Sequence, residues 1–245
     1  MLSGYARAEW SIILLVGALL TISGALLGWW WLAPLPIVIA VVTVLFFRDP
    51  VRKPPSQRGA VVAVCDGRVS SIHDVEHFPP FDGPATCVRV FMSVFDVHLN
   101  RSPCHGKVAA ITEQPGNFGN TLNPQSIEDN QSVTTLLVHP SKGHPVAAVR
   151  QVAGMLARTI HNALRDGQIV QRGQRMGIIK LGSTTELYLP RTIEPVVQVT
   201  QGQKVLAGQT VLASVNSADP SAAAVIPATR DSKEQPATPT ESASA

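Results

Sequence analysis

Between the apolar runs Ile178-Ile179 and Leu187-Tyr188-Leu189 lies Lys180-Leu181-Gly182-Ser183-Thr184-Thr185, a stretch whose residue types can act on their own backbone. Gly182 is the residue there that tolerates φ > 0 and lets another group approach its carbonyl. The Ser183 hydroxyl follows directly and can reach that carbonyl carbon when the peptide is strained and a base is near. The corresponding chemistry is an N→O acyl shift, in which a chain cuts itself between Gly182 and Ser183. A Gly-Ser-Thr corner joining two strands is the plain alternative, and these six residues alone support either reading.

The elements that must hold this stretch are mostly strands. Short β runs broken by Gly and Pro are predicted at Ala60–Val64, Arg68–Ile72, Thr86–Met92, Gly106–Ile111, Thr134–His139 and Ala147–Val152. One helix is predicted over Gly154–Leu164, where Met155, Leu156, Ile160, Ala163 and Leu164 recur near a 3.6 period. Gly167-Gln168-x4-Gly173-Gln174 returns as Gly202-Gln203-x4-Gly208-Gln209, with Ser183 between the two copies. Paired Gly-Gln turns of this kind suit a biotinyl/lipoyl-like β-sandwich. The expected fold is therefore mainly β (α+β), with one helix in the domain.

Upstream the pattern changes. From Trp10 to Phe47 there is no charged residue, and all four tryptophans fall in this region. Ser11 to Trp31 has the ~20 residues that cross a bilayer core, and the Trp cluster suits its interface. Pro34 and Pro36 break the helix before a second apolar run, Ile37 to Phe47. An N-terminal transmembrane helical hairpin is expected, its second arm spanning or dipping in. Arg48, Arg52, Lys53 and Arg58 follow, placing the downstream domain on the cytoplasmic side of the cell (inner) membrane. The boundaries read as 1–47 membrane anchor, 48–58 basic linker, 59–216 folded domain and 217–245 disordered tail, rich in Ala, Ser, Pro and Thr. Because every β motif lies downstream, the anchor reads as a tether whose removal leaves a domain able to fold.

Composition excludes other classes. A formal charge of +3 over 245 residues, with no Lys/Arg stripe interleaved with aromatics, gives no reason to expect nucleic acid. Three cysteines without C-x-x-C spacing read as reduced thiols in a cytosol-facing domain. The scattered histidines form no zinc-protease motif, and no metal is expected.

Four segments, in order, resemble one known family. Leu181-Gly182-Ser183-Thr184 is similar to the processing motif of the pyruvoyl-dependent phosphatidylserine decarboxylases. Cys65-Asp66-Gly67-Arg68-Val69, Phe91-Met92-Ser93-Val94-Phe95-Asp96-Val97-His98-Leu99-Asn100-Arg101-Ser102-Pro103 and Gln151-Val152-Ala153-Gly154-Met155-Leu156-Ala157-Arg158 match in register. The likeness runs from about Pro50 to about Val215 and is to the short prokaryotic form. It implies conversion of phosphatidylserine to phosphatidylethanolamine and CO2 in phospholipid biosynthesis, with an archaetidylserine-type substrate left open. Removing CO2 from an α-amino acid needs an electron sink that no side chain supplies. The resemblance implies a pyruvoyl group made from Ser183: attack on the Gly182 carbonyl, an ester, elimination to dehydroalanine, then hydrolysis. It implies a heterodimer of the two cleavage fragments, with a higher oligomer left open.

The resemblance also assigns roles. His98 matches the family's motif histidine, as base for Ser183, and Asp66 matches the aspartate that orients it. Long bacterial relatives carry H-x-x-H here; Arg101 replaces the second histidine, so His98 serves both steps or shares them with His105 or His139. Arg68, Arg101 and Lys107 lie near the motifs and are candidates for the substrate phosphate. Gly116-Asn117-Phe118, followed by Leu122, reads as a loop facing acyl chains. The Gly-Gln repeats alternatively suit a non-enzymatic lipoyl-like carrier or binding module, but neither repeat turn carries the central lysine a carrier needs.

Overall fold

The structure, a computed structural model, describes residues 2–121, 123–155, 159–180 and 183–215. Leu181 and Gly182 of the expected cut site, Leu122, residues 156–158 and the tail expected over 217–245 lie outside the described residues.

Two apolar helices come first, α1 (Arg7–Leu26) and α2 (Leu35–Val44). Gly17 faces Ala40 so closely that an added Cβ would sit 2.6 Å from the alanine Cβ, and Gly24 faces Ala33, so the pair runs antiparallel. Most of their Leu, Ile and Val side chains point outward.

The β domain begins with β1 (Ala60–Val62), β2 (Gly67–Phe78), β3 (Gly83–Met92), β4 (Leu99–Arg101) and β5 (Gly106–Gln114). A short helix α3 (Pro124–Asp129) precedes β6 (Ser132–Val138), β7 (Pro145–Val152), β8 (Ile160–Asn162) and β9 (Ile169–Val170). Then come β10 (Arg175–Ile179), β11 (Ser183–Pro190), β12 (Val196–Val197), β13 (Lys204–Val205) and β14 (Val211–Ser214). All six strands predicted from alternation are present, with β2 running further than expected. The main sheet has eight strands in the order β13-β2-β3-β11-β7-β6-β5-β9, and two three-stranded sheets, β1-β14-β12 and β4-β10-β8, close over it. The core between them holds Val64, Cys65, Val88, Met92, Val149, Ile179, Leu187 and Leu212.

The repeat has a spatial counterpart. Arg101 N–H donates to Val64 O at 2.8 Å while Val62 N–H donates to Pro103 O at 2.9 Å. Gly202 N–H reaches Val69 O at 2.7 Å, and Gly167 N–H reaches Val108 O at 2.8 Å in the matching place. Cys65-x-Gly67-Arg68-Val69 and Cys104-x-Gly106-Lys107-Val108 thus occupy equivalent positions in two halves, each with a Gly-Gln segment added along its edge.

The helix predicted over Gly154–Leu164 is not what forms at Ile160–Asn162. Those residues are β8, paired to β10 through Gly177↔Asn162 and Ile178↔His161. Gly177 permits this: at φ 157° an added Cβ would lie 2.0 Å from the His161 carbonyl oxygen. A short apolar run fits either period, and the waiting edge of β10 decides between them. The domain's helix among the described residues is instead α3.

Candidate active site

Strand β11 is central, between β3 and β7, and all eight of its residues are buried. Ser183 opens it, opposite Met92 of β3. Among the described residues the Ser183 Oγ and Thr184 Oγ1 are buried without a hydrogen-bond partner. A buried hydroxyl left unpaired costs about 1–3 kcal/mol, so Ser183 is held uncommitted against a penalty.

His98 lies just beyond the turn that follows β3. Asp96 Oδ2 accepts from Ser93 N–H and Oγ–H at 2.9 and 2.8 Å, which closes that turn. The His98 Nδ1 sits 2.9 Å from the Asp96 carbonyl oxygen. A carbonyl only accepts, so Nδ1 carries the proton and the lone pair is on Nε2. The Ile179 N–H meets the His98 carbonyl at 3.4 Å, so the histidine abuts the strand that leads toward the expected cut site. Burial pushes its pKa down to about 4, and the imidazole is neutral at pH 7. The Ser183 hydroxyl is not hydrogen-bonded to it in this geometry.

This carries a pH expectation. The folded pKa lies below the ordinary 6.5, so between these values the unfolded chain binds a proton that the folded chain refuses. Stability therefore falls as pH drops from about 6.5 to about 4, by about 3 kcal/mol if the whole shift is expressed. Self-cleavage should stay flat from pH 8 to about 5 instead of titrating near 6.5. Cleavage rates across that range, with melts of wild type and His98→Gln in detergent, check both; a cleavage midpoint near 6.5 refutes the neutral buried imidazole.

Asp66 has other partners than His98. Its carboxylate takes both Arg52 terminal nitrogens, with Arg52 Nη2 to Oδ2 at 2.7 Å, and accepts from Ala207 N–H at 2.8 Å. Its negative charge still acts on His98, as one of the smaller influences favouring the protonated ring. Arg52 also donates to Ala207 O at 2.9 Å, so this buried pair staples the segment after α2 to the C-terminal part of the domain.

The three phosphate candidates separate. Arg101 is buried and donates to Asp49 at 3.0 Å, Gly173 O at 3.0 Å and Pro50 O at 2.9 Å, so its donors are turned inward. Lys107 lines a cleft of about 460 Å³ with His139 and Lys142. His139 accepts there from Ser141 and Lys142 N–H groups, while the His105 Nδ1 is buried without a partner. Arg68 alone of the three borders the cleft of about 610 Å³ that contains Asp66, Phe91 and Ser93, the last two flanking the residue opposite Ser183. The Gly116–Phe118 loop is tied down by Asn117 N–H to Asp129 O at 2.8 Å.

Several residues of this neighbourhood escape a linear reading. Phe46, at the end of the apolar segment, lies on the His98 ring with centroids 4.1 Å apart. Phe47, Ala6 and Ile178 form one buried cluster, and Glu9 of α1 pairs with Lys180, just upstream of the cut site. Glu186 is fully buried on β11 opposite Arg89 and Arg150, which bond it at 2.7 and 3.1 Å, and Tyr188 Oη–H donates to it at 2.9 Å. A glutamate in the midst of a strand with no other charged residue was the available signal, since a buried carboxylate requires a compensating partner. On the other face Gln151 Nε2–H donates to Asn100 at 2.6 Å, with Asn100 Nδ2 3.8 Å from the Met92 sulfur.

The described residues thus place a buried serine at the head of a central strand, with a neutral histidine on the adjoining segment. A family profile described as phosphatidylserine decarboxylase matches residues 39–213. A phosphatidylserine decarboxylase proenzyme of Rhodopirellula baltica is 40% identical over 210 residues, covering 84% of this chain and 85% of the relative. One of Nitrobacter winogradskyi is 39% identical over 202 residues, 79% of each chain. One of Granulibacter bethesdensis is 39% identical over 188 residues, 76% of this chain and 75% of its own. The chain belongs to the phosphatidylserine decarboxylase family.

Proposed function

We propose that this protein is a proenzyme that cuts itself between Gly182 and Ser183 and then converts phosphatidylserine to phosphatidylethanolamine and CO2. The observation that carries this is the uncommitted Ser183 hydroxyl at the head of the central strand, in a chain of this family. His98, neutral with its lone pair on Nε2, takes the serine proton; Asp66 favours the resulting imidazolium through its charge. The Ser183 position suits a pyruvoyl group, since every β11 pair from Thr184↔Phe91 onward lies downstream of the residue whose nitrogen is lost as ammonia. Such a group would supply a carbonyl that binds the substrate amine and takes up the electron pair left on the α-carbon when CO2 departs. The two fragments stay joined because β11, β13 and β14 pair with β3 and β7, β2, and β1 across the break. Arg68, at the mouth of the cleft beside Asp66, meets the substrate phosphate. The two related halves with their Gly-Gln edges support a biotinyl/lipoyl-like arrangement of the core.

The apolar segment 1–47 anchors the enzyme, 48–58 is the basic linker and the catalytic domain starts at 59. α1 is long and apolar enough to cross a bilayer, α2 packs against it, and the cations after α2 favour the cytoplasmic side of the cell membrane. Mass spectrometry of purified protein tests the proposal: fragments 1–182 and 183–245, the latter starting with a pyruvoyl mass, are expected, and an intact chain refutes it.

The anchor is more than a tether. Deleting residues 1–47 strips Phe46 from His98 and Phe47 from Ile178. Losing a buried phenylalanine costs about 3–5 kcal/mol. The truncated chain should therefore melt lower and cut itself more slowly than one retaining Leu45–Phe47. Equal melting and cleavage of the two truncations, compared by gel and thermal scan, restores the tether reading.

A further inference from the structure

The end of α2 is tied to one particular turn of the β domain. Arg48, the first charged residue after the apolar segment, donates to the Leu45 carbonyl at 3.1 Å and also to the Phe95 carbonyl. Phe95 is therefore held beside the point where the chain leaves its apolar helices. Its ring is 84% exposed, and Val51 (75%), Leu206 (40%) and Val94 (39%) are exposed apolar residues of the same neighbourhood or its adjoining chain. Isolated exposed apolar side chains need no explanation. Phe95 and Leu206 line the cleft of about 610 Å³, and Val51 lies in the chain between two of its lining residues, Pro50 and Arg52.

The charge around that cleft has one sign in excess. Arg48, Arg52, Arg68 and Lys204 line it against Asp66 and Asp96, four cations to two carboxylates. Arg52 is paired with Asp66 and the half-buried Arg48 donates to the Leu45 and Phe95 carbonyls, which leaves Arg68 and Lys204, both exposed and register partners across β2 and β13, as the outward cationic pair. Aromatic rings flanked by basic side chains suit the headgroup layer of an anionic membrane, where the ring enters the interface and the cations meet phosphates.

We propose that the rim formed by Phe95, Val51 and Leu206 with Arg68 and Lys204 is a second membrane contact, seated on an anionic phospholipid surface. The cleft then opens directly into the headgroup layer, and an anionic lipid enters it sideways from the bilayer without crossing water. This rests on the anchoring of α1 and α2 proposed above, which sets the depth of Arg48 and hence of Phe95.

The test uses the full chain in vesicles of phosphatidylcholine and phosphatidylglycerol, with an environment-sensitive fluorophore on a single introduced thiol. Cys65 and Cys87 are buried, and burial pushes the Cys104 thiol up to about 12, so labelling falls on the new site. Phe95→Cys reports the rim, Leu19→Cys the anchor, and Glu76→Cys a position nine residues along β2 from Gly67, roughly 30 Å away. Lipids carrying a nitroxide at headgroup depth should quench the Phe95 probe at least about twofold more than the Glu76 probe. Arg68→Glu with Lys204→Glu should remove that excess in anionic vesicles. Equal, weak quenching at residues 95 and 76 with a strongly quenched Leu19 probe overturns the rim while leaving the anchor. An unquenched Leu19 probe rejects the anchor, and the Phe95 probe then decides whether the rim binds lipid by itself. Processing, read on a gel from the same samples, reports the enzyme assignment separately.

Discussion

Ser183→Ala should leave one uncut chain of 26.1 kDa with no decarboxylase activity. Without Oγ nothing attacks the Gly182 carbonyl, and no carbonyl group is generated at position 183. The usual ambiguity, that the variant merely fails to fold, is weak here. The hydroxyl has no hydrogen-bond partner among the described residues around its buried site, so its removal relieves an unmade bond and should be neutral or stabilising by up to about 1–3 kcal/mol. An intact chain with an unchanged or raised melting temperature is the expected pair of results. Fragments from Ser183→Ala would place the cut elsewhere and end the assignment. Ser183→Cys should cut slowly, because a thiol in this position still attacks but its burial among apolar neighbours disfavours the thiolate.

The second large effect concerns His98 and Asp66. Base assistance is typically worth about 10²–10⁴-fold, so His98→Ala should cut over days at most. If Asp66 acts through His98, Asp66→Asn should slow cutting too, and the double variant should be little worse than either alone. The structure adds a confounding effect that must be measured beside the rate. Asp66 is the buried partner of Arg52, and removing one member of such a pair costs about 3–5 kcal/mol by leaving the other charge unpaired. Arg52→Met breaks the same staple from the other side while keeping the carboxylate. Equal loss of stability in Asp66→Asn and Arg52→Met, with the larger loss of cutting in Asp66→Asn, is the expected pattern. If the two variants cut equally slowly, Asp66 serves the staple and not His98. Slowly processed protein separates the two stages: His98→Ala should remain inactive once cut, whereas Asp66→Asn should recover in part. Equal recovery confines His98 to maturation and turns attention to His105 and His139.

What the amino-acid order determined by itself is local. Alternation located six strands of the domain, glycines located its turns, and the charge-free run from Trp10 to Phe47 located the two apolar helices. The Gly-Gln repeat, with Gly167, Gly173, Gly202 and Gly208 all at positive φ, announced two related halves. Ser183 was singled out by its adjacent glycine together with the three other segments that resemble the family, since the Gly-Ser-Thr stretch alone equally fits a plain turn.

The tertiary structure alone decided who meets whom. Asp66 pairs with Arg52, 14 residues away, and with the Ala207 N–H, 141 residues away, and neither partner carries a mark in the sequence. Phe46 covers His98 because the segment after α2 folds back onto the turn after β3, which no hydropathy pattern records. Arg101 has the same charge as Arg68, yet the first is turned inward onto Asp49 and the second borders the cleft. Ile160–Asn162 has an apolar period that fits a helix, and only the open edge of β10 beside Gly177 makes it a strand. Backbone preference and hydrophobic period act over a few residues, whereas sheet order and register join segments far apart in the chain, so the strands could be read in advance and the partners of the site could not.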